Sequence, residues 1–122
     1  TIQKLSIVTT AMTFTVIDNE TELMDFLNKH STCIVAFSAT WCGPCKGSKP
    51  RLEKLAATSP TKLPVGYVYE ENLEDFLEVF VRLKAFPTYI LFQNVQEVQR
   101  VEGVDFEALE KMMNAAVVVS ER

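Results

Sequence analysis

The sequence predicts an α/β domain built on a central mixed five-stranded sheet flanked by four helices, and three observations carry that prediction. Short runs rich in β-branched and aromatic residues alternate with stretches whose apolar residues recur at i, i+3 and i+4. One run, residues 33–37, is apolar throughout, as suits a strand covered on both faces by helical crossovers. The resulting order β, α, β, α, β, α, β, β, α combines parallel crossovers with a terminal hairpin. At 122 residues, 48% hydrophobic and 23% charged, the chain can fill one core and not two.

Each element has a local cause. Residues 13–17 alternate polar and apolar with β-branched side chains and read as the first strand. Asp18 or Asn19 can cap a helix that buries Leu23, Phe26 and Leu27. The apolar run at 33–37 follows, then a helix to about Ala57 that turns Leu52, Leu55 and Ala56 inward, with Pro50 removing a donor and kinking it. Residues 65–69 read as a strand. Asn72 is expected to cap a helix with Leu73, Phe76, Leu77, Phe80 and Leu83 on one side and Glu74, Asp75 and Glu78 as a solvated face. Ala85-Phe86-Pro87-Thr88 breaks that helix. Residues 89–92 and 95–101 pair around a turn at Asn94, Gly103 ends the sheet, and Asp105 caps a last helix using Phe106, Leu109, Met112, Met113 and Ala116.

A net charge of −4 without a Lys or Arg run supplies no footprint for nucleic acid or an anionic membrane surface, so neither is an expected partner. No apolar stretch approaches the ~20 residues that span a bilayer; the longest are residues 33–37 and 115–119. Three cysteines fit a close pair plus one extra in a reducing compartment better than a secreted disulfide framework. An intracellular, cytoplasmic location is the expectation. Residues 1–12 are read as an N-terminal extension before a domain at 13–122. Residues 1–11 would be a processed targeting remnant, which would make an organelle the location, or a cloning scar, or a native extension.

The chemistry concentrates at Trp41-Cys42-Gly43-Pro44-Cys45-Lys46. A disulfide exchanger needs one thiol that ionises near neutral pH and a second that can close on it, and two intervening residues give that reach. If a helix starts at residues 42–44, its free N–H groups and the positive end of its dipole face the first sulfur. The Cys42 thiol then ionises below the free-cysteine value of about 8.5. Pro44 suits a first helical turn, where its missing N–H is not needed. Cys45, one turn inside, is shielded and acts second. The competing reading is a zinc site from His30, Cys33, Cys42 and Cys45, disfavoured because Cys33 opens a buried strand and His30 lies at a helix end. Cys33 reads as a packed core cysteine, and His30 as a helix C-terminal residue near the dipole.

The segment from Phe37 to Lys46 resembles the active-site segment of the thioredoxin family, as do Pro50, Phe86-Pro87-Thr88 and Gly103 at their places along the chain. The resemblance runs from about residue 13 to the C-terminus. It implies the thioredoxin fold with strand order 1-3-2-4-5, Cys42 as nucleophile, and a cis peptide before Pro87. It also implies that Trp41, Gly43, Pro44, Phe86, Pro87 and Gly103 present a groove for extended polypeptide, with ordinary core packing the lesser alternative for Trp41. No bound cofactor is implied: electrons would come from NADPH through a thioredoxin reductase and pass to disulfide-containing protein substrates, with the chain a monomer.

Three departures from the family are visible. Ala36 and Tyr67 stand where the family carries a buried Asp and its Lys partner, and losing both charges together removes the cost of an isolated buried ion. It also removes a carboxylate implied to assist proton transfer at Cys45. Gly47 and polar neighbours replace larger apolar residues after the motif, and Asn94-Val95 replaces the usual Asn-Gly of a hairpin turn. Two other functions therefore stand beside the reductase: a binding or scaffold module that docks partners without turnover, and a disulfide-forming oxidase or isomerase. The last is disfavoured because such domains often carry His where this chain has Pro44.

Overall fold

The computed structural model describes residues 14–116 in the order β1 (Phe14–Ile17), α1 (Glu20–Lys29), β2 (Thr32–Ser38), α2 (Gly43–Thr58), β3 (Val65–Tyr69), a 3-10 turn (Glu70–Asn72), α3 (Glu74–Phe80), β4 (Thr88–Gln93), β5 (Gln96–Glu102) and α4 (Phe106–Ala115). The expected extension at 1–12 and the apolar residues 117–119 lie outside the described residues. The sheet order is β1-β3-β2-β4-β5, with β1, β3 and β2 parallel and β4 antiparallel to both β2 and β5. This is the thioredoxin fold, five strands of mixed sense with four α-helices among the described residues.

Alternation along the strands sends side chains to two cores. Ile34, Ala36, Val65, Tyr67, Tyr89 and Leu91 face α2 and α4, meeting Leu52, Ala56, Leu109 and Met113. Cys33, Val35, Phe37, Val68, Ile90 and Phe92 face α1 and α3, meeting Leu23, Phe26, Leu27 and Leu77. Every residue of β2 is buried, because it is central in the sheet and covered on both faces. Gly66 is the tightest point. A Cβ there would stand 2.7 Å from Ile17 Cδ1 and 3.1 Å from Phe26 Cε2, so its missing side chain lets α1 seat on β3.

The caps follow the sequence with one exception. Asn19 accepts from the Glu22 N–H, Asp105 from the Ala108 N–H, and Cys42 from the Cys45 N–H. Asn72 does not cap α3. The chain makes a 3-10 turn first, the cap position falls to Leu73, and Leu73 is buried in the core with no side chain to accept a bond. The same helix stops earlier than its pattern suggests, at Phe80. Arg82 takes a left-handed φ of 52°, and the N–H groups of Val81 and Arg82 both bond the Leu77 carbonyl. Leu83 therefore packs on the core from beyond the helix. Arg100 reaches across from β5 to donate to the carbonyls of Val81 and Arg82, satisfying acceptors that a helix end leaves open.

Pro50 does not interrupt α2, which continues to Thr58. The hairpin between β4 and β5 turns on two residues, Asn94 and Val95, with φ of 52° and 67°. Both values are positive, as a tight two-residue turn between right-twisted strands requires. A bulge then leaves Val98 without a partner between Gln99 opposite Leu91 and Glu97 opposite Phe92, interrupting the ladder of this edge strand.

Candidate active site

Cys42 closes the loop that leaves β2 and caps α2, whose first turn carries Gly43, Pro44 and Cys45. The N–H groups of a first turn have no carbonyl inside the helix to bond. Here the Cys45 N–H donates to Cys42 Sγ at 3.2 Å. A donor and the positive end of a helix dipole at one sulfur favour its thiolate over its thiol. The two cysteines are joined as a disulfide with Cα atoms 5.3 Å apart. Cys42 is 5% exposed and Cys45 1%, so the first sulfur is the one solvent and partners can reach.

The surroundings come from three further segments. β2 ends where β4 begins and β5 ends, so the loops at this edge of the sheet converge on the cysteines. The Phe86-Pro87 peptide is cis, and the Phe86 carbonyl oxygen lies 3.7 Å from Cys42 Sγ. Gly103, at a φ of 84° that other residues avoid, donates its N–H to the Pro87 carbonyl at 2.8 Å. Trp41 is 64% exposed and meets the Phe86 ring edge-on at 5.4 Å between centroids, so it is a surface aromatic and not core. Gly43, Pro44 and Lys46 are exposed, while Pro87 is buried. Trp41, Cys42, Gly43, Pro44, Phe86, Pro87 and Gly103 thus share one end of the molecule.

Beneath Cys45 the structure supplies something the sequence did not reveal. Ala36 is fully buried in register between Tyr67 and Tyr89 on the neighbouring strands. The Tyr67 hydroxyl donates to Ser38 Oγ at 2.9 Å and lies 3.5 Å from the Cys45 carbonyl oxygen, which also accepts from Ser48 Oγ at 3.2 Å. Tyr89 is buried on the other side of Ala36, and Ser48 partly offsets the rise that burial gives its phenol. Burial pushes both phenols above the ordinary tyrosine value, so they remain neutral at physiological pH. The polar demand of the buried Cys45 carbonyl is met by the Ser48 hydroxyl, with the Tyr67 hydroxyl alongside, and without a charge.

Glu71 is a second residue that sequence reasoning missed. It follows β3, 31 positions from Thr40, and its carboxylate accepts from both the Thr40 N–H at 2.9 Å and the Thr40 hydroxyl. The Thr40 hydroxyl, followed by the backbone bonds, holds the Glu71 carboxyl below the usual range. The result is a clamp on the residue before Trp41. No local pattern announces such a contact.

The zinc alternative finds no support in the geometry. Cys33 lies in the core on the opposite face of the sheet, and His30 ends α1 with its ring edge-on to Phe26 at 4.8 Å. Among the described residues, no three His, Cys, Asp or Glu side chains gather as a metal would require. Nor is any described helix long and apolar enough to cross a membrane.

Comparison with known proteins agrees with this geometry. The thioredoxin family model matches residues 14–115. A thioredoxin of Aspergillus fumigatus is 37% identical over 86 residues, 69% of this chain and 76% of that one. The bifunctional thioredoxin reductase/thioredoxin of Mycobacterium leprae is 36% identical over 84 residues, 69% of this chain and 18% of that one. The crystal structure of mitochondrial thioredoxin 3 from Saccharomyces cerevisiae, in its oxidised form, superposes with a TM-score of 0.74 at 27% identity, covering 88% of this chain and 99% of that one. Sequence, fold and the paired sulfurs at the head of α2 lead to one conclusion: the chain belongs to the thioredoxin family and is a thiol-disulfide oxidoreductase that works by dithiol-disulfide exchange at Cys42 and Cys45.

Proposed function

We propose that this chain reduces disulfides in other proteins, with Cys42 as the attacking sulfur and Cys45 as the resolving one. The observation that carries the assignment of roles is the Cys45 N–H directed at Cys42 Sγ, together with the deeper burial of Cys45. The Cys42 thiolate attacks one sulfur of the substrate disulfide, forming a mixed disulfide and expelling a substrate thiolate. Cys45 then loses its proton and attacks Cys42 Sγ. The substrate leaves as a dithiol, and the two electrons it gained leave Cys42 and Cys45 as the disulfide.

The docking face in this proposal is Trp41, Gly43, Pro44, Phe86, Pro87 and Gly103, with Lys46 at its margin. The exposed Trp41 and the half-buried Phe86 offer an aromatic surface, and the Phe86 carbonyl beside Cys42 offers an acceptor to an extended substrate backbone. Recharging is assigned to NADPH through a thioredoxin reductase. The Mycobacterium leprae relative, named as a reductase and a thioredoxin in one protein, supports that donor. A monomer in the cytoplasm, with the domain at 13–122, completes the reading; an odd cysteine count supports a reducing compartment.

Insulin reduction with NADPH and a thioredoxin reductase tests turnover and donor together. The expected result is NADPH oxidation that requires both cysteines. Cys45→Ser should accumulate mixed disulfides through Cys42, whereas accumulation through Cys45 in Cys42→Ser would reverse the roles. If Cys42→Ser retained full partner affinity and biological activity, the scaffold reading would replace this one.

A further inference from the structure

Gly47 sits in the interior of α2, where glycine weakens a helix by about 1 kcal/mol relative to alanine. Nothing in the fold asks for it. A Cβ at this position would meet no atom within 4 Å, and its backbone is not in the left-handed region. What the missing side chain leaves is open space: a hollow of about 380 Å³ lined by Pro44, Gly47, Ser48, Arg51, Val104 and Phe106.

The hollow continues the proposed docking face. Pro44 lies between the cysteines in the first turn of α2, and Val104, itself exposed, follows the Gly103 that bonds the Pro87 carbonyl. Pro44, Gly47, Ser48 and Arg51 follow i, i+3, i+4, i+7 spacing, so they form one stripe along α2 leading away from Cys42. Its far end carries a cation. The Arg51 guanidinium is seated 4.3 Å over the Phe106 ring, and among the described residues no carboxylate forms an ion pair with it. Residues 46–54 hold Lys46, Lys49, Arg51 and Lys54 against one acid, Glu53, in a chain whose net charge is −4.

We propose that the hollow over Gly47 is a subsite for an acidic side chain of the substrate protein, received by Arg51 beside the reacting disulfide. The proposal rests on the reading that the chain reduces protein disulfides. An aromatic-backed guanidinium without a partner suits a carboxylate, and the open space lets it arrive without clash. Nine helical steps separate Cys42 from Arg51, a distance of about 13 Å. An extended substrate covers that in about four residues, which fixes where its acid should lie relative to the attacked cysteine.

The test uses the full chain, reduced beforehand, and peptides whose single cysteine is a mixed disulfide with 2-mercaptoethanol. Each peptide carries Glu or Gln four residues before or after that cysteine, and hydroxyethyl disulfide serves as a substrate too small to reach Arg51. In one orientation the Glu peptide should react about threefold to fivefold faster than its Gln partner at low salt, the range of a partly exposed ion pair. That preference should fall toward unity at high salt and in both Gly47→Leu and Arg51→Gln. Equal rates for Glu and Gln in both orientations would overturn the subsite, as would a Glu preference that survives in both variants. A wild type inert toward hydroxyethyl disulfide would instead overturn the reductase reading.

Discussion

Cys42 and Cys45 were legible because their spacing is itself the mechanism: two residues between sulfurs is a reach requirement, and Pro44 marks a helix start. Their support was not legible. The absence of charges at Ala36 and Tyr67 can be read from the chain, but neither periodicity nor spacing brings Ser38 to the Tyr67 hydroxyl or Ser48 to the Cys45 carbonyl. Tyr67→Phe leaves the buried Ser38 hydroxyl without its donor and should cost about 1 to 3 kcal/mol in urea unfolding. A loss below about 0.5 kcal/mol would mean that the hydroxyl set carries little of the local stability. Glu71 is equally silent in sequence. Its folded carboxyl titrates below its unfolded value, so its contribution is fully present above the unfolded pKa and is lost as pH falls through the folded one. The stability difference between wild type and Glu71→Gln, followed from neutral pH into acid, should therefore shrink below about pH 4. A difference independent of pH would remove the Thr40 clamp from the account.

Helices and strands were read well where their own residues decide them and poorly where a neighbour does. α1 and α4 have local caps, Asn19 and Asp105, and both were found in place. α3 ends through Arg82 and a guanidinium from β5, 18 positions away, so its periodic pattern ran past its true end. The hairpin turn lacks the usual glycine, yet Asn94 and Val95 adopt the positive φ angles that a two-residue connection imposes. Gly66, inside β3, is the seat of α1. Gly66→Ala should destabilise by about 1 to 3 kcal/mol, read from the urea midpoint at unchanged slope, because Ile17 and Phe26 must both shift. A neutral substitution would show that α1 is not held at that distance.

The molecule as a whole uses a sheet covered on both faces to bring loop ends together at one edge. Parallel crossovers and the closing hairpin follow from the alternation of patterns, whereas the strand order came with the family resemblance, and the resemblance of residues 37–46 and 86–88 anticipated which edge would carry the chemistry. Everything functional then depends on one claim, that the start of α2 makes the Cys42 sulfur acidic. The direct measurement is the pH dependence of Cys42 alkylation in the reduced protein, with Cys45→Ser and Cys33→Ser variants isolating the signal. The expected midpoint lies at least one unit below the free-cysteine value of about 8.5. A midpoint at or above that value would contradict the account.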